Sequence, residues 1–187
     1  KKILITRSQE QASFFAELLI EKGAEPVECA TIEVLPPDDW TPLDRAIQDI
    51  KKYQWLIFTS VNGVRFFLER LKVLGHDLRI LKGIKLCTIG PATAAELRRI
   101  GITPDFMPAE YIAEAIVKGL GQKKLKGTRI LLPRAKVARE ILPRELTRLG
   151  AKVDVVTVYQ TVRPDHDLDR IGSLLRNGEI DVATFTS

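Results

Sequence analysis

The sequence predicts an α/β protein in which parallel sheets are flanked by helices. Short apolar runs alternate with amphipathic segments along the 187 residues, and glycines and prolines stand at the boundaries between them. Part of the sequence also recurs farther along the chain. Alternation of this kind is typical of parallel strands joined by helices that cover both faces of a sheet. Together with the recurrence, it leads us to expect two similar lobes, each with its own sheet.

Short apolar runs, bounded by turn-forming residues, predict the strands. Each run is too short for a buried helix and is followed by an amphipathic segment, which favours a strand covered on both faces. We predict strands near residues 2 to 6, 26 to 34, 54 to 59, 84 to 89, 103 to 107, 128 to 133, 152 to 159 and 181 to 186.

Apolar residues at helical spacing predict the helices between these strands. Gly23, Gly101 and Gly150 stand where helices are expected to end, and Pro91 stands where one is expected to begin. We expect four apolar stripes to face the core: Phe14, Leu18 and Leu19; Val64, Phe67, Leu68 and Leu71; Ile112, Ile116 and Leu120; Leu142, Leu146 and Leu149.

A repeat with a constant offset of 127 residues organises the chain. The string at residues 2–7 returns at 129–134 and the Phe-Thr-Ser string at 58–60 returns at 185–187, so that 134 minus 7 and 187 minus 60 both give 127. A repeat this long indicates a duplicated half-domain rather than a solenoid unit. Residues 61 to 127 have no counterpart, so we expect the second copy to be truncated at its C-terminus.

Two proline-containing segments at equivalent places predict the domain boundaries. Pro36-Pro37 and Arg163-Pro164-Asp165 both follow long predicted strands and are interpreted as two linker segments. Each copy could fold by itself, or the copies could exchange halves with the first βαβ unit pairing to the last strand. Two matched linkers favour exchange, which predicts one lobe of residues 1–35 with 163–187 and another of residues 38–160.

Composition excludes several classes of protein. The net charge is +5 with a pI near 9.3, and no apolar stretch approaches the length of a membrane span. Two cysteines, Cys29 and Cys87, lie far apart within apolar runs, which favours buried thiols in a reducing compartment, and we expect a cytoplasmic protein. The two histidines, His76 and His166, lie in polar surroundings, so we expect neither a metal site nor a Ser-His-acid triad.

A basic segment at residues 123–148 raises the alternative of nucleic-acid binding. It holds nine Lys or Arg residues against Glu140 and Glu145, but no aromatic residue lies between Tyr111 and Tyr159 to stack on bases. Arg144 and Arg148 are expected on a solvated helix face. An anionic small molecule explains the basicity equally well, so we expect no nucleic-acid partner.

The segment Phe58-Thr59-Ser60-Val61-Asn62-Gly63 is the first candidate binding motif, because it joins a strand end to a helix start. Ser60 is placed to cap the helix, which would leave backbone N–H groups of Val61, Asn62 and Gly63 free to hold a carboxylate or phosphate. The alternative is that Ser60 only caps the helix. Its counterpart in the repeat is Ser187, a further binding candidate.

The second candidate motif is the strand end followed by Gly90, Pro91 and Thr93. Gly90 permits close backbone approach, Pro91 opens the helix, and Thr93 lies in its first turn beside unpaired N–H groups. Neither a G-x-G-x-x-G fingerprint nor a P-loop occurs in the sequence, so a nucleotide cofactor has no support.

Arg7 and Arg134 end equivalent strands of the two copies and are candidate ligands of carboxylates. Either could instead pair with a nearby acid such as Glu10.

Five strings mark the order and spacing of the motifs along the chain: Ile3-Leu4-Ile5-Thr6-Arg7, Phe58-Thr59-Ser60, Ile89-Gly90-Pro91-Ala92-Thr93-Ala94, Ile130-Leu131-Leu132-Pro133-Arg134-Ala135 and Val158-Tyr159-Gln160-Thr161. Their order and spacing are similar to those of the uroporphyrinogen-III synthase family across all 187 residues. The resemblance implies flavodoxin-like lobes of the kind found in the HemD proteins. It also implies a cofactor-independent hydro-lyase that closes linear hydroxymethylbilane into uroporphyrinogen III, with loss of water and inversion of ring D in a cleft between the lobes.

Under this resemblance, helix N-termini and basic side chains match the acetate and propionate arms of the substrate. Tyr159 is the candidate weak acid that protonates the leaving hydroxyl; alternatively, it only packs between the lobes. No cofactor, metal or membrane is implied, and we expect a monomer. The rival interpretation is a non-catalytic two-lobed protein that clamps an anion.

Overall fold

The computed structural model describes residues 1–6, 9–121, 125–164 and 168–185. The chain divides into two compact units. The first unit comprises Lys1–Leu35 and Thr161–Ser187, and the second unit comprises Pro36–Gln160.

Strands and helices alternate along the described residues. The strands are Lys2–Ile5 (β1), Glu25–Glu28 (β2), Glu33–Leu35 (β3), Trp55–Phe58 (β4), Lys85–Thr88 (β5), Arg129–Ala135 (β6), Lys152–Val162 (β7) and Val182–Thr184 (β8). The α helices are Gln9–Glu21 (α1), Thr41–Gln48 (α2), Val61–Val73 (α3), Pro91–Arg99 (α4), Ala113–Gly121 (α5), Ile141–Arg148 (α6) and Leu168–Arg176 (α7), with short 3₁₀ helices at Ile50–Lys52 and Leu78–Leu81.

The sheet of the second unit carries the strands β7-β6-β4-β5 in that order, paired in parallel. Its strands are apolar on both faces because helices cover both. Residues of α5 and α6 pack with Ile57 and Cys87 on one face, and Phe67 of α3 meets Phe58 edge to face on the other at 5.5 Å between ring centroids. The predicted α/β class with parallel sheets flanked by helices is therefore confirmed.

The first unit has a smaller parallel sheet in the order β2-β1-β8. Successive residues of β1 point to opposite faces, so they enter different clusters. Leu4 packs with Val27 and Cys29 against apolar residues of α7, and Ile5 packs with the buried alanines of α1.

Strand pairings in the two sheets coincide under the 127-residue offset. Lys2 pairs with Glu25 in the first unit, and the corresponding residues Arg129 and Lys152 pair in the second. Likewise, Ile3 pairs with Val182 in the first unit, and Ile130 pairs with Trp55 in the second. The sequence repeat is thus also a repeat of register over these strands. β1 of the first copy pairs with β8 of the second, which is the pairing that exchange of halves requires.

The single strand predicted over 26 to 34 is wrong, because the chain forms β2 and β3 with a break between them. At the break, the N–H of Cys29 donates to Ile5 O at 2.9 Å. The hydroxyl of Thr31 donates to Thr6 O at 2.9 Å. The first bond is the last rung of the ladder between β1 and β2, and the second ties the break to Thr6, just past the end of β1.

The strand predicted over 103 to 107 is also wrong, since only an isolated bridge joins Phe106 to Cys87. Pro104 has no N–H to donate to a ladder. The carboxylate of Asp105 instead accepts the N–H of Leu86 at 2.7 Å. An apolar run can therefore lie beside β5 without becoming a strand.

Most predicted helix stripes face the core, but three residues do not. Phe14 is 70% exposed, Leu18 is 42% exposed and Ile112 is 44% exposed, while Ala12 and Ala16 are the buried residues of α1. Because Ala12 and Ala16 occupy the core face of α1, Phe14 and Leu18 lie on the opposite side of the helix. The helix ends predicted at Gly23, Gly101 and Gly150 and the start at Pro91 are confirmed.

Candidate functional site

The carboxyl-terminal edge of the second unit's sheet brings several predicted site residues together. β4 leads through Ser60 into α3, and β5 leads through Gly90 into α4, with the strand ends Phe58 and Thr88 directly paired. This edge is where ligands of parallel α/β sheets bind, because helix N-termini and strand ends meet there.

Ser60 is the N-cap of α3, as predicted. Its backbone is extended and its Oγ accepts the N–H of Gly63 at 2.9 Å. The prediction that the N–H of Gly63 is free is therefore wrong. The N–H groups of Val61 and Asn62 belong to the first turn, where a helix offers no internal acceptor, so they are the ones that can bind an anion.

Gly63 allows α3 to approach β6 closely. A Cβ at this position would lie 3.1 Å from Ser60 Oγ and 3.3 Å from the carbonyl oxygen of Pro133. A larger residue would require the cap or the strand to shift by a few tenths of an ångström, so glycine at this position leaves both undisturbed.

Tyr159 of β7 lies beside Ser60 although the two are 99 residues apart in sequence. Its hydroxyl donates to Ser60 Oγ at 3.1 Å, and its ring stacks on Phe66 with centroids 5.9 Å apart and planes inclined by 13°. The tyrosine is only 9% exposed. Its phenol is therefore held in one orientation on the second unit.

Phe66 is a site residue that the sequence reasoning missed. It extends the stack to Trp40 at 6.5 Å between ring centroids, and the guanidinium of Arg70 lies 5.0 Å from the Trp40 ring centroid. Arg70 is in turn fixed by two hydrogen bonds to the carboxylate of Asp44. The available signal was the adjacent pair Phe66-Phe67, of which only Phe67 fits the apolar stripe.

A polar network holds the backbone on either side of Tyr159. The N–H of Lys136 donates to Tyr159 O at 2.8 Å, and Gln160 Nε2 donates to Pro36 O at 3.1 Å and to Asp38 Oδ1 at 2.8 Å. Hydrogen bonds from Lys136 and Gln160 hold the pKa of the Asp38 carboxyl below its ordinary value. The network joins β6, β7 and the segment that precedes α2.

The Gly90 motif offers backbone groups rather than side chains. Gly90 is the N-cap of α4 without a side-chain hydrogen bond, and Thr93 is only 4% exposed, so its hydroxyl cannot reach a ligand in solution. Pro91 has no N–H, which leaves the amides of Ala92 and Thr93. Tyr111 packs on Gly90: a Cβ on Gly90 would lie 3.2 Å from Tyr111 Cγ.

Arg134 is buried at 7% exposure and is engaged within the protein. Its Nη1 donates to Arg139 O at 2.9 Å and its Nη2 pairs with the carboxylate of Glu140. Pairing with a nearby acid was the alternative to carboxylate binding for this residue. Arg7 and Ser187, the corresponding candidates of the other copy, lie outside the described residues.

The described part of the chain holds no group of three or more His, Cys, Asp and Glu side chains that could bind a metal ion. Both cysteines are buried free thiols, as predicted, and His76 is exposed. His166 lies outside the described residues. No helix of the described segments has both the length and the apolarity needed to cross a membrane.

Comparisons with known proteins agree with the predicted family. Residues 13–187 match the family model described as uroporphyrinogen-III synthase HemD. The uroporphyrinogen-III synthase of Synechococcus elongatus is 35% identical over 188 residues, covering 100% of this chain and 70% of that protein. The porphyrin biosynthesis protein HemD of Ruminiclostridium josui is 32% identical over 186 residues, and this chain spans 37% of its length.

Solved structures agree at the level of the fold. A uroporphyrinogen III synthase mutant from Thermus thermophilus superposes with a TM-score of 0.72 at 17% identity, covering 100% of this chain and 72% of that one. The enzyme from Helicobacter pylori gives a TM-score of 0.55 at 21% identity, covering 93% of this chain and 68% of that one. The resemblance drawn from the motifs is confirmed by the family match, and the chain belongs to the uroporphyrinogen-III synthase family.

Proposed function

We propose that this protein is a cofactor-independent hydro-lyase that cyclises hydroxymethylbilane to uroporphyrinogen III, with loss of water and inversion of ring D. The match of residues 13–187 to the family model carries the proposal. Relatives from Synechococcus elongatus and Chlorobaculum parvum that are named uroporphyrinogen-III synthase align with 100% of this chain.

Substrate binding is assigned to the two helix starts of the second unit. The acetate and propionate carboxylates of the bilane suit backbone N–H groups at helix N-termini, where the helix dipole favours negative charge. The binding set comprises Ser60, Val61, Asn62, Gly63, Gly90, Pro91 and Thr93, with Gly63 and Gly90 acting through close backbone approach. Arg7, Arg134 and Ser187 stay predicted contributors, and the tether to Glu140 gives Arg134 an indirect role through its loop.

Catalysis requires one weak acid and a protein that brings the ends of the bilane together. The lone pair of the pyrrole nitrogen supplies the electrons that break the C–O bond, and protonation of the departing hydroxyl releases water. Tyr159 is the proposed acid, supported by its fixed position beside the N-cap of α3. Proximity of the two reacting ends accounts for the remaining acceleration.

Several finer predictions belong to the same proposal. They are the lobes of residues 1–35 with 163–187 and of residues 38–160, a substrate cleft that both lobes share, a monomeric state, a cytoplasmic location and the lack of a nucleic-acid partner. The coinciding registers of the two sheets support the duplication from which the lobes were deduced.

The test supplies enzymatically generated hydroxymethylbilane to the full-length protein and determines the product isomer. The proposal expects isomer III at a rate above spontaneous closure, which yields isomer I in a heat-inactivated control. Isomer I alone, together with measurable binding of the bilane, would support the non-catalytic anion-binding alternative instead.

A further inference from the structure

The oxygen of Ser60 accepts two hydrogen bonds. The N–H of Gly63 donates to it at 2.9 Å and the hydroxyl of Tyr159 donates to it at 3.1 Å. A serine hydroxyl has two acceptor positions and one donor. Both acceptor positions are therefore occupied from inside the protein, and the Ser60 proton is left to point elsewhere.

The donor direction in the Tyr159–Ser60 bond follows from acidity and geometry. A phenol is a stronger acid than an aliphatic hydroxyl and is therefore the better donor of the two. The stack on Phe66 and the hydrogen bond from Lys136 N to Tyr159 O hold the ring and the backbone of the tyrosine in place. The phenolic proton therefore points to Ser60 Oγ.

We propose that Ser60 delivers the proton to the leaving hydroxyl and that Tyr159 replaces it, so that the two hydroxyls act as a relay. The inference rests on the proposed function, and it moves the contact with the reacting oxygen from Tyr159 to Ser60. Tyr159 then acts through Ser60, while Phe66 is a positioning residue for the phenol.

The relay balances protons and electrons. The Ser60 proton passes to the hydroxyl oxygen of the bilane while the phenolic proton of Tyr159 passes to Ser60 Oγ. The C–O bond breaks with electrons from the pyrrole nitrogen, and water leaves. Ring closure later releases a proton from the pyrrole carbon that forms the new bond, and this proton returns to the phenolate.

The N-terminus of α3 favours the charged intermediate of this relay. α3 begins at Val61, immediately after Ser60, and has 13 residues. Its dipole places partial positive charge beside the site where the phenolate forms. The N–H of Gly63 remains bonded to Ser60 Oγ throughout, so the serine keeps its orientation.

Substitutions at Ser60 separate capping from proton delivery. Ser60→Asn keeps a side-chain acceptor for the helix N-terminus but offers no hydroxyl, whereas Ser60→Thr keeps both. Under the relay, Ser60→Asn, Ser60→Ala and Tyr159→Phe each slow formation of isomer III by about 100-fold, and Ser60→Ala combined with Tyr159→Phe is no slower than either alone. Ser60→Thr retains most of the activity.

Tyr53→Phe is the matched control, because it removes a phenol of the same unit that bonds Asp154 Oδ2 at the start of the strands instead. Folding of each variant is followed by urea unfolding with tryptophan fluorescence, since both Trp40 and Trp55 lie in the second unit. We expect the control to unfold more easily but to keep its activity.

The deciding measurement is the rate of isomer III formation in mixtures of light and heavy water. If two protons move in the same step, the rate of the wild type should vary with the deuterium fraction along a curve. In Tyr159→Phe only one proton moves, so its rate should vary linearly. A linear wild-type dependence, or a Ser60→Asn variant that keeps its activity while Tyr159→Phe loses it, overturns the relay and leaves the proposed function standing. Isomer I from the wild type overturns both.

Discussion

Replacing Glu140 with glutamine distinguishes two roles for Arg134, as a tether of its own loop or as a ligand of the substrate. Arg134 is 7% exposed on β6, and its guanidinium donates from Nη1 to Arg139 O at 2.9 Å and from Nη2 to the Glu140 carboxylate. The Glu140 side chain is 72% exposed, so the ion pair lies at the surface. The structure thus favours the tether.

The size of each effect follows from exposure. Glu140→Gln keeps an acceptor and removes a charge from a pair with one exposed partner, which costs about 1 kcal/mol or less. Arg134→Met removes both hydrogen bonds of the buried guanidinium and should cost about 2 to 3 kcal/mol. If the free energy of unfolding falls by about 2 kcal/mol per molar urea, the urea midpoint drops by about 0.5 M or less for Glu140→Gln and by about 1 to 1.5 M for Arg134→Met.

The assay combines urea unfolding, followed by tryptophan fluorescence, with the KM for hydroxymethylbilane. A tether predicts that Glu140→Gln leaves KM within about twofold of the wild type, because no substrate contact changes. A carboxylate ligand predicts the opposite: loss of Glu140 frees the guanidinium, and KM falls by about tenfold, or about 1.4 kcal/mol. That fall, together with a raised KM in Arg134→Met, would refute the tether.

Three further substitutions test the packing of the second unit, each by its urea midpoint. Gly119→Ala places a Cβ in steric overlap with Phe106 Cζ and should destabilise by about 1 to 3 kcal/mol despite the helix preference of alanine. Adding Phe106→Leu should recover most of the loss, and an unchanged midpoint for the single variant would contradict the contact. Burial and the hydrogen bond to Asp154 raise the pKa of Tyr53 above its ordinary 10.0. The neutral phenol therefore stabilises the fold fully below pH 10.0, and this contribution is lost as the pH rises toward the higher pKa of the folded state. Because phenylalanine does not titrate, the free energy of unfolding of Tyr53→Phe should depend less on pH above 10.0 than that of the wild type. Thr88→Val removes a fully buried hydroxyl that has no hydrogen-bond partner within the described residues, so its midpoint should stay the same or rise, and a fall would show that the hydroxyl is satisfied.

Local sequence rules predicted the cap of α3 but not which of its amides remain free. A serine before an apolar helical stripe predicts an N-cap because of its position alone. Whether its oxygen takes the N–H of Gly63 depends on the rotamer of one side chain, which periodicity does not encode. The prediction consequently placed Ser60 correctly and assigned one amide too many to the ligand.

The meeting of Tyr159 with Ser60 could not be predicted from spacing. The two residues are 99 positions apart, and their contact depends on β7, β6 and β4 being neighbours in the sheet. The burial of Thr93 and Arg134 has the same origin, since both depend on which helix or loop covers a strand end. The pattern of apolar and polar residues in the sequence indicates at which edge of the sheet a residue lies. Whether its side chain reaches solvent depends on how the helices and loops pack over that edge.

The repeat makes the proposed chemistry asymmetric. With an offset of 127, Ser60 corresponds to Ser187 and Arg134 to Arg7, but Tyr159 corresponds to Ile32. Ser60 and Arg134 thus have counterparts in the other copy, while the phenol occurs in one copy only. A single proton donor is sufficient for the reaction, because one hydroxyl leaves per turnover.

Ile32 also lacks the setting that holds Tyr159. It is 46% exposed and precedes β3, at the break that separates β2 from β3, whereas Tyr159 lies inside the continuous strand β7. A tyrosine placed at Ile32 would lie at a half-exposed position outside a continuous strand, so its ring would not be held as that of Tyr159 is. We therefore expect Ile32→Tyr to leave the Tyr159→Phe variant as slow as before, measured by the rate of isomer III formation. Recovery of that rate would mean that a phenol in either copy serves, and that the ordered stack on Phe66 is not what makes Tyr159 effective.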